Sequence, residues 1–257
     1  MKFPVLAFGL MASMFIIACD EGDDPAPYNP SSLTIQPGIF QGGNQLFLGS
    51  IIGINDSTDV SVETVRFYIS HLQAVKADGG TVDLADYTFF DLREPSSANR
   101  PDWRNQKFEI PAGNYTGLTF SLGLDSTQNY SDPSTFPQDN PLSAATGMYW
   151  TWATQYRFVM AEGRANKTGQ VGSGDDQAYS YHPGGNHLYV QGVQLNQAFN
   201  VAAGGNTILE LKVNTDSWFN GPGGSINPFV EFAAHDAPAD QPLATKFITN
   251  FASGLSL

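Results

Sequence analysis

The chain has 257 residues, with 25 acidic against 12 basic side chains and a formal net charge of −13. Such a surface repels nucleic acid, which excludes that class of partner. The single cysteine, Cys19, excludes an internal disulfide and any multi-thiolate zinc or iron-sulfur site, so a metal would be held by His, Met, carboxylate or a modified side chain.

Taken in order, Met1-Lys2 opens an apolar run from Phe3 to Ala18 with no acid before Asp20. This has the charged start and hydrophobic core of a secretory signal and is short of the about 20 residues a membrane-spanning helix needs. Ile16-Ile17-Ala18-Cys19 reads as a lipobox, which makes residues 1–18 a lipoprotein signal peptide and Cys19 the lipidated N-terminus of an exported, periplasmic or cell-surface protein held to a membrane. Residues 19–35, with Asp20-Glu21-Gly22-Asp23-Asp24-Pro25 at their head, read as a flexible acidic tether, and residues 36–257 as one domain.

From Gln45 the hydrophobic period is mostly two, which predicts strands at Leu46 to Ile54, Ser61 to Lys76 and Thr81 to Leu92. Asn55-Asp56-Ser57 and Ala77-Asp78-Gly79-Gly80 mark the turns between them. In the second strand Val65, Phe67, Ile69 and His71 share one face, which predicts a buried histidine, while Arg66, Tyr68, Ser70 and Leu72 share the other. A polar excursion over 93–106 carries Trp103, and Phe108-Glu109-Ile110 leads to a strand over Tyr115 to Leu124. Asp125 to Ala145 is a long polar loop, read as a lid or rim over a site. Asp125 and Asn129 at its start could hold calcium through oxygen, although turn chemistry accounts for them equally well.

The run from Met148 to Met160 reads as one strand, with Met148, Trp150, Trp152, Tyr156, Phe158 and Met160 on its buried face and Tyr149, Thr151, Gln155 and Arg157 on the other. Further strands are predicted at Ala178 to His182, Leu188 to Phe199 and Thr207 to Val213, with a short turn at Asp216-Ser217-Trp218-Phe219. The one helix, Leu243 to Leu255, repeats Leu243, Phe247, Ile248 and Phe251 behind Asp240 and Pro242 and is expected to cover one open end. The fold class is therefore all-β, an antiparallel β-sandwich of about eight or nine strands with long loops and one C-terminal helix.

Five of these motifs occur in a telling order: Arg66-Phe67-Tyr68-Ile69-Ser70, Pro111-Ala112-Gly113-Asn114-Tyr115, Gly123-Leu124-Asp125, Gly147 to Trp152, and Tyr181-His182-Pro183-Gly184-Gly185. Together they resemble the MbnP-like copper-binding domain, a family related to the copper proteins MopE and CorA. The resemblance implies an exported β-sandwich that binds copper through histidine and a kynurenine. That kynurenine is made from a tryptophan by a dihaem enzyme of the MauG or cytochrome c peroxidase type.

On that reading the metal residues are His182, Trp150 or Trp152 as the kynurenine precursor, His235 and Met148. Imidazole and thioether suit copper. The relatives place a histidine two residues after the modified tryptophan, where this chain has Trp152. His187 reads as a solvated turn residue. No nucleophile elbow, zinc-protease pair or phosphate loop is present in the sequence, and the expectation is a binding protein without turnover. The alternative is a carbohydrate-binding surface lipoprotein using exposed Trp103, Trp150 and Trp218.

Overall fold

A computed structural model describes residues 30–93, 101–150, 155–235 and 238–257; the signal segment, Cys19, most of the tether and Trp152 lie outside the described residues. The chain begins with a hairpin of β1 (Ser32–Gln41) and β2 (Asn44–Leu46), then β3 (Ile51–Asn55) and the 19-residue β4 (Thr58–Lys76). β5 (Thr81–Asp91), β6 (Gln106–Glu109) and β7 (Gly113–Leu122) follow. The long loop holds α1 (Ser126–Asn129) and two single 3-10 turns, Pro133–Thr135 and Ala144–Thr146. Next come β8 (Tyr149–Trp150), β9 (Gln155–Tyr156), β10 (Val159–Lys167), β11 (Gln177–Tyr181), β12 (Val190–Val201) and β13 (Asn206–Asn214). The short strands β14 (Asn220–Gly221), β15 (Gly224–Ser225) and β16 (Ala233–Ala234) precede α2 (Gln241–Ser253) and β17 (Leu255–Ser256).

The expected sandwich is present, with more strands than foreseen because many are only two or three residues long: 17 among the described residues. One sheet runs β17-β13-β1-β2, with β6 also on β1. The other runs β12-β7-β4-β10-β11-β16, with β3 and β5 also on β4. Both are mixed, since β1 pairs in parallel with β13 and β11 with β16. One continuous core joins them: Leu33, Ile35, Leu211 and Val213 come from the first sheet and Val60, Val62, Phe67 and Leu122 from the second.

Several boundaries differ from the sequence reading. β1 starts at Ser32, inside the segment read as tether, and buries Leu33, Ile35 and Ile39. Pro37 and Gly38 interrupt its pattern. Pro37 falls between the stretch of β1 paired with β6 and the stretch paired with β2, an unpaired edge where proline is tolerated. The single strand expected over Leu46 to Ile54 is two, β2 and β3, split at the left-handed Gly49.

α2 forms where expected, with Asp240 and Pro242 at its start. Ala244, Phe247, Ile248 and Phe251 are buried at helical spacing, and Phe251 stacks on Trp218 at 5.6 Å and meets Phe67 at 5.5 Å. Trp218 is thus a core residue with no exposed surface and offers no open ring to a sugar, while the half-buried Trp103 packs edge-on against Phe89 at 5.8 Å.

Candidate metal centre

The local geometry follows from the alternation of β11. Tyr179 and Tyr181 point into the core, where their rings stack at 5.3 Å and Tyr181 packs on Phe247 at 4.6 Å. Residues two apart share a face, so Ser180 and His182 occupy the opposite one. Antiparallel pairing sets Glu162 of β10 across from Ser180, and parallel pairing sets Ala233 and Ala234 of β16 beside Ser180 and Tyr181. The His182 amide donates to the Ala234 carbonyl at 2.7 Å, which carries the register one step further and brings His182 and His235 side by side.

The two imidazole centroids are 5.0 Å apart. His182 is 5% exposed and His235 half-buried. Trp150 stands edge-on to both rings, 5.4 Å from His182 and 5.5 Å from His235. The indole is held there from behind. The Arg157 guanidinium lies 4.5 Å over its ring, and its Nη2 and Nε donate to the carbonyls of Gly147 and Met148. The turn after His182 is tied to the same segment, since the Phe158 amide donates to the Pro183 carbonyl at 2.7 Å and Arg157 bridges Gly184.

This arrangement corrects the reading of Met148 to Met160 as one strand. β8 pairs antiparallel with β9, Trp150 opposite Gln155, so the chain reverses between them. Parity therefore does not carry across the reversal, and Arg157, assigned to the outer face, is buried. Trp152 falls outside the described residues. Met148 is completely buried in the core cluster and serves the site through its carbonyl.

Glu162 and Ser180 supply what the sequence reading did not single out. Glu162 Oε1 lies 2.8 Å from His182 Nε2, and Ser180 Oγ lies 3.0 Å from His235 Nε2. Burial lowers the His182 pKa, outweighing the pull of Glu162, while the hydrogen bond from His182 holds the Glu162 carboxyl below its ordinary value against its partial burial. Both directions favour a neutral imidazole beside a carboxylate. His182 Nδ1 is buried and has no hydrogen-bond partner, an arrangement that costs about 1–3 kcal/mol where nothing fills it. The clue in the sequence was an acid on an apolar strand, directly before Gly163.

The remaining candidates fall elsewhere. His71, predicted buried, is exposed: a bulge beside it breaks the parity of β4, its φ is +51°, and its Nε2 meets Asp125 at 3.0 Å. His187 is exposed on its 3-10 turn. Asp125 caps α1, and Asn129 accepts from the Tyr156 amide while donating to Asn186, so turn and packing contacts occupy these oxygens. The long loop sits on the polar side of β4, where Tyr68 donates to the Pro141 carbonyl, Arg66 to that of Thr146 and Tyr156 to that of Leu142. It buttresses the Trp150 hairpin. Among the described residues no three or more His, Cys, Asp or Glu side chains converge on a common point, and no helix is long and apolar enough to cross a membrane.

Residues 29–232 match the MbnP family, a span that contains Trp150, Arg157, Glu162 and His182 and stops three residues short of His235. The chain belongs to the MbnP family. That family is associated with copper and with methanobactin-related proteins. Among solved structures the chain is similar to MbnP from Methylosinus trichosporium, at 17% identity and a TM-score of 0.47, over 73% of this chain and 77% of that one. No curated protein matches its sequence.

Proposed function

We propose that this MbnP-family chain is an exported, lipid-anchored copper-binding protein that takes up, stores or passes on copper and performs no turnover. The observation that carries the reading is the meeting of His182, His235 and Trp150, three rings with centroids 5.0 to 5.5 Å apart. Two imidazoles sharing one ion through nitrogens at about 2.0 Å have ring centres on the order of 5–6 Å apart, and the observed pair lies in that range. The unpartnered Nδ1 of His182 is an imidazole nitrogen, a donor that suits copper.

Two imidazoles leave a third donor to be found, and the ring standing against both of them is Trp150. Oxidative opening of its indole, with dioxygen-level oxidant delivered by a dihaem enzyme of the MauG or cytochrome c peroxidase type, would break the C2–C3 bond to give N-formylkynurenine, and hydrolysis would release C2 as formate, leaving kynurenine with an aromatic amine and a carbonyl at that position. Export rests on the 1–18 signal segment, and anchoring on Cys19 and the acidic tether behind it.

The test is a Cu(I) titration against a competing chelator, using the full chain from its native host. One tight equivalent is expected in the wild type, with loss of tight binding in His182→Ala and in His235→Ala while far-ultraviolet circular dichroism is unchanged. Full stoichiometry and affinity in the double variant would overturn the placement. Mass spectrometry of the peptide carrying Trp150 and Trp152 decides the modification.

A further inference from the structure

We propose that Glu162 is a positioning residue: it locks His182 into the Nε2–H tautomer and so presents the Nδ1 lone pair to the metal. The inference rests on the copper reading and assigns the ligating atom together with the group that selects it. Three observations carry it. Glu162 Oε1 stands 2.8 Å from His182 Nε2, a distance at which one proton lies between them. An ionised carboxylate can only accept, so that proton sits on the imidazole. The other ring nitrogen is buried and has no hydrogen-bond partner. A ring nitrogen offered to a metal must be bare of hydrogen, and the hydrogen bond at the far nitrogen decides which one is.

His235 is held differently. Its Nε2 meets the Ser180 hydroxyl at 3.0 Å, and a hydroxyl both donates and accepts. Ser180 therefore leaves the tautomer of His235 open, and His182 is the preorganised member of the pair. Glu162 owes its aim to the strand. β10 slips register against β4 between Glu162 and Gly163, and the missing side chain at Gly163 lets the backbone close onto Ser61.

The experiment uses the isotopically labelled full chain and two readouts. Imidazole NMR of the copper-free protein, with the His182 signals assigned by His182→Ala, reports the tautomer; Cu(I) competition reports affinity. Wild type is expected to carry Nε2–H. Glu162→Gln keeps an acceptor at that position, so it should retain the tautomer and bind Cu(I) within about threefold of wild type. Glu162→Leu removes the acceptor, so His182 should populate both tautomers and Cu(I) affinity should fall about 10- to 100-fold. A merely structural role would lower stability in both variants and leave the tautomer where it was. Finding Nδ1–H on copper-free wild-type His182, or wild-type affinity in Glu162→Leu, overturns the proposal. If wild type takes up no Cu(I), the copper reading falls and the metal half of this proposal with it, while the tautomer readout still decides what Glu162 does.

Discussion

At the scale of single residues, a buried ion pair beside the long loop ties the stability of the fold to pH. Asp91 meets Arg66 Nε at 3.1 Å and Arg93 Nη2 at 2.7 Å. Burial pushes its carboxyl upward, but the Arg93 hydrogen bond and the two cations outweigh this and hold it below its ordinary value of 3.8. Burial in turn lowers the Arg66 guanidinium to about 10, despite Asp91. Since the folded value of Asp91 is the depressed one, the unfolded chain binds the proton more readily. The contribution is complete above the unfolded value and is lost as pH falls through the folded one. Urea unfolding followed from about pH 6 down to about pH 2 should therefore show falling stability, with a flatter fall in Asp91→Asn. At neutral pH that variant should lose about 3 kcal/mol, the low end for breaking a buried pair because Arg93 is only half-buried. An unchanged slope would show that other carboxylates govern the transition. The histidines and Trp150 were legible in the sequence as residue types, whereas Arg66 and Arg157 were not legible as buried. Period-two reasoning places alternate residues in water, and here the long loop and the β8–β9 hairpin cover the face it assigns to solvent.

At the scale of elements, one glycine couples the sheet to the site. A Cβ on Gly163 would sit 1.9 Å from the Ser61 carbonyl oxygen and 2.7 Å from Tyr179 Oη, with backbone on one side and a fully buried ring on the other. Neither can give way cheaply. Gly163→Ala should cost about 3 kcal/mol in urea unfolding, near the upper end for overpacking, and should weaken Cu(I) binding by moving the neighbouring Glu162. Stability within about 1 kcal/mol of wild type would mean that β10 shifts freely against β4. β4, β5, β7, β13 and α2 were legible to within about three residues because period-two runs mark the strands, imperfectly in β13, and Asp240 and Pro242 precede the helical repeat of α2. β1 was hidden by Pro37-Gly38, and the β8–β9 reversal by aromatic residues that read as strand on either side of it. The pairing of His182 with His235 depends on β16, a two-residue strand with no periodicity to detect.

At the scale of the whole molecule, binding at a preorganised centre must appear as stability of the folded state, because the unfolded chain keeps the four histidines but scatters them. At free Cu(I) about 100 times the dissociation constant the increment is about 2.7 kcal/mol, which for a domain of this size is a rise of about 5–10 °C in the unfolding midpoint. The acidic surface is the competing source of such a shift, since a net charge of −13 attracts any cation and relief of self-repulsion also stabilises. Ligand chemistry separates the two. Carboxylates are hard donors suited to calcium and magnesium, whereas imidazole and other softer donors suit copper. Calorimetry with and without Cu(I), in buffered salt sufficient to screen the surface, should show the rise in wild type, little with magnesium, and none with Cu(I) in the His182→Ala, His235→Ala double variant. A rise of equal size in that double variant would place the metal on the acidic surface and leave the paired imidazoles without a metal to hold.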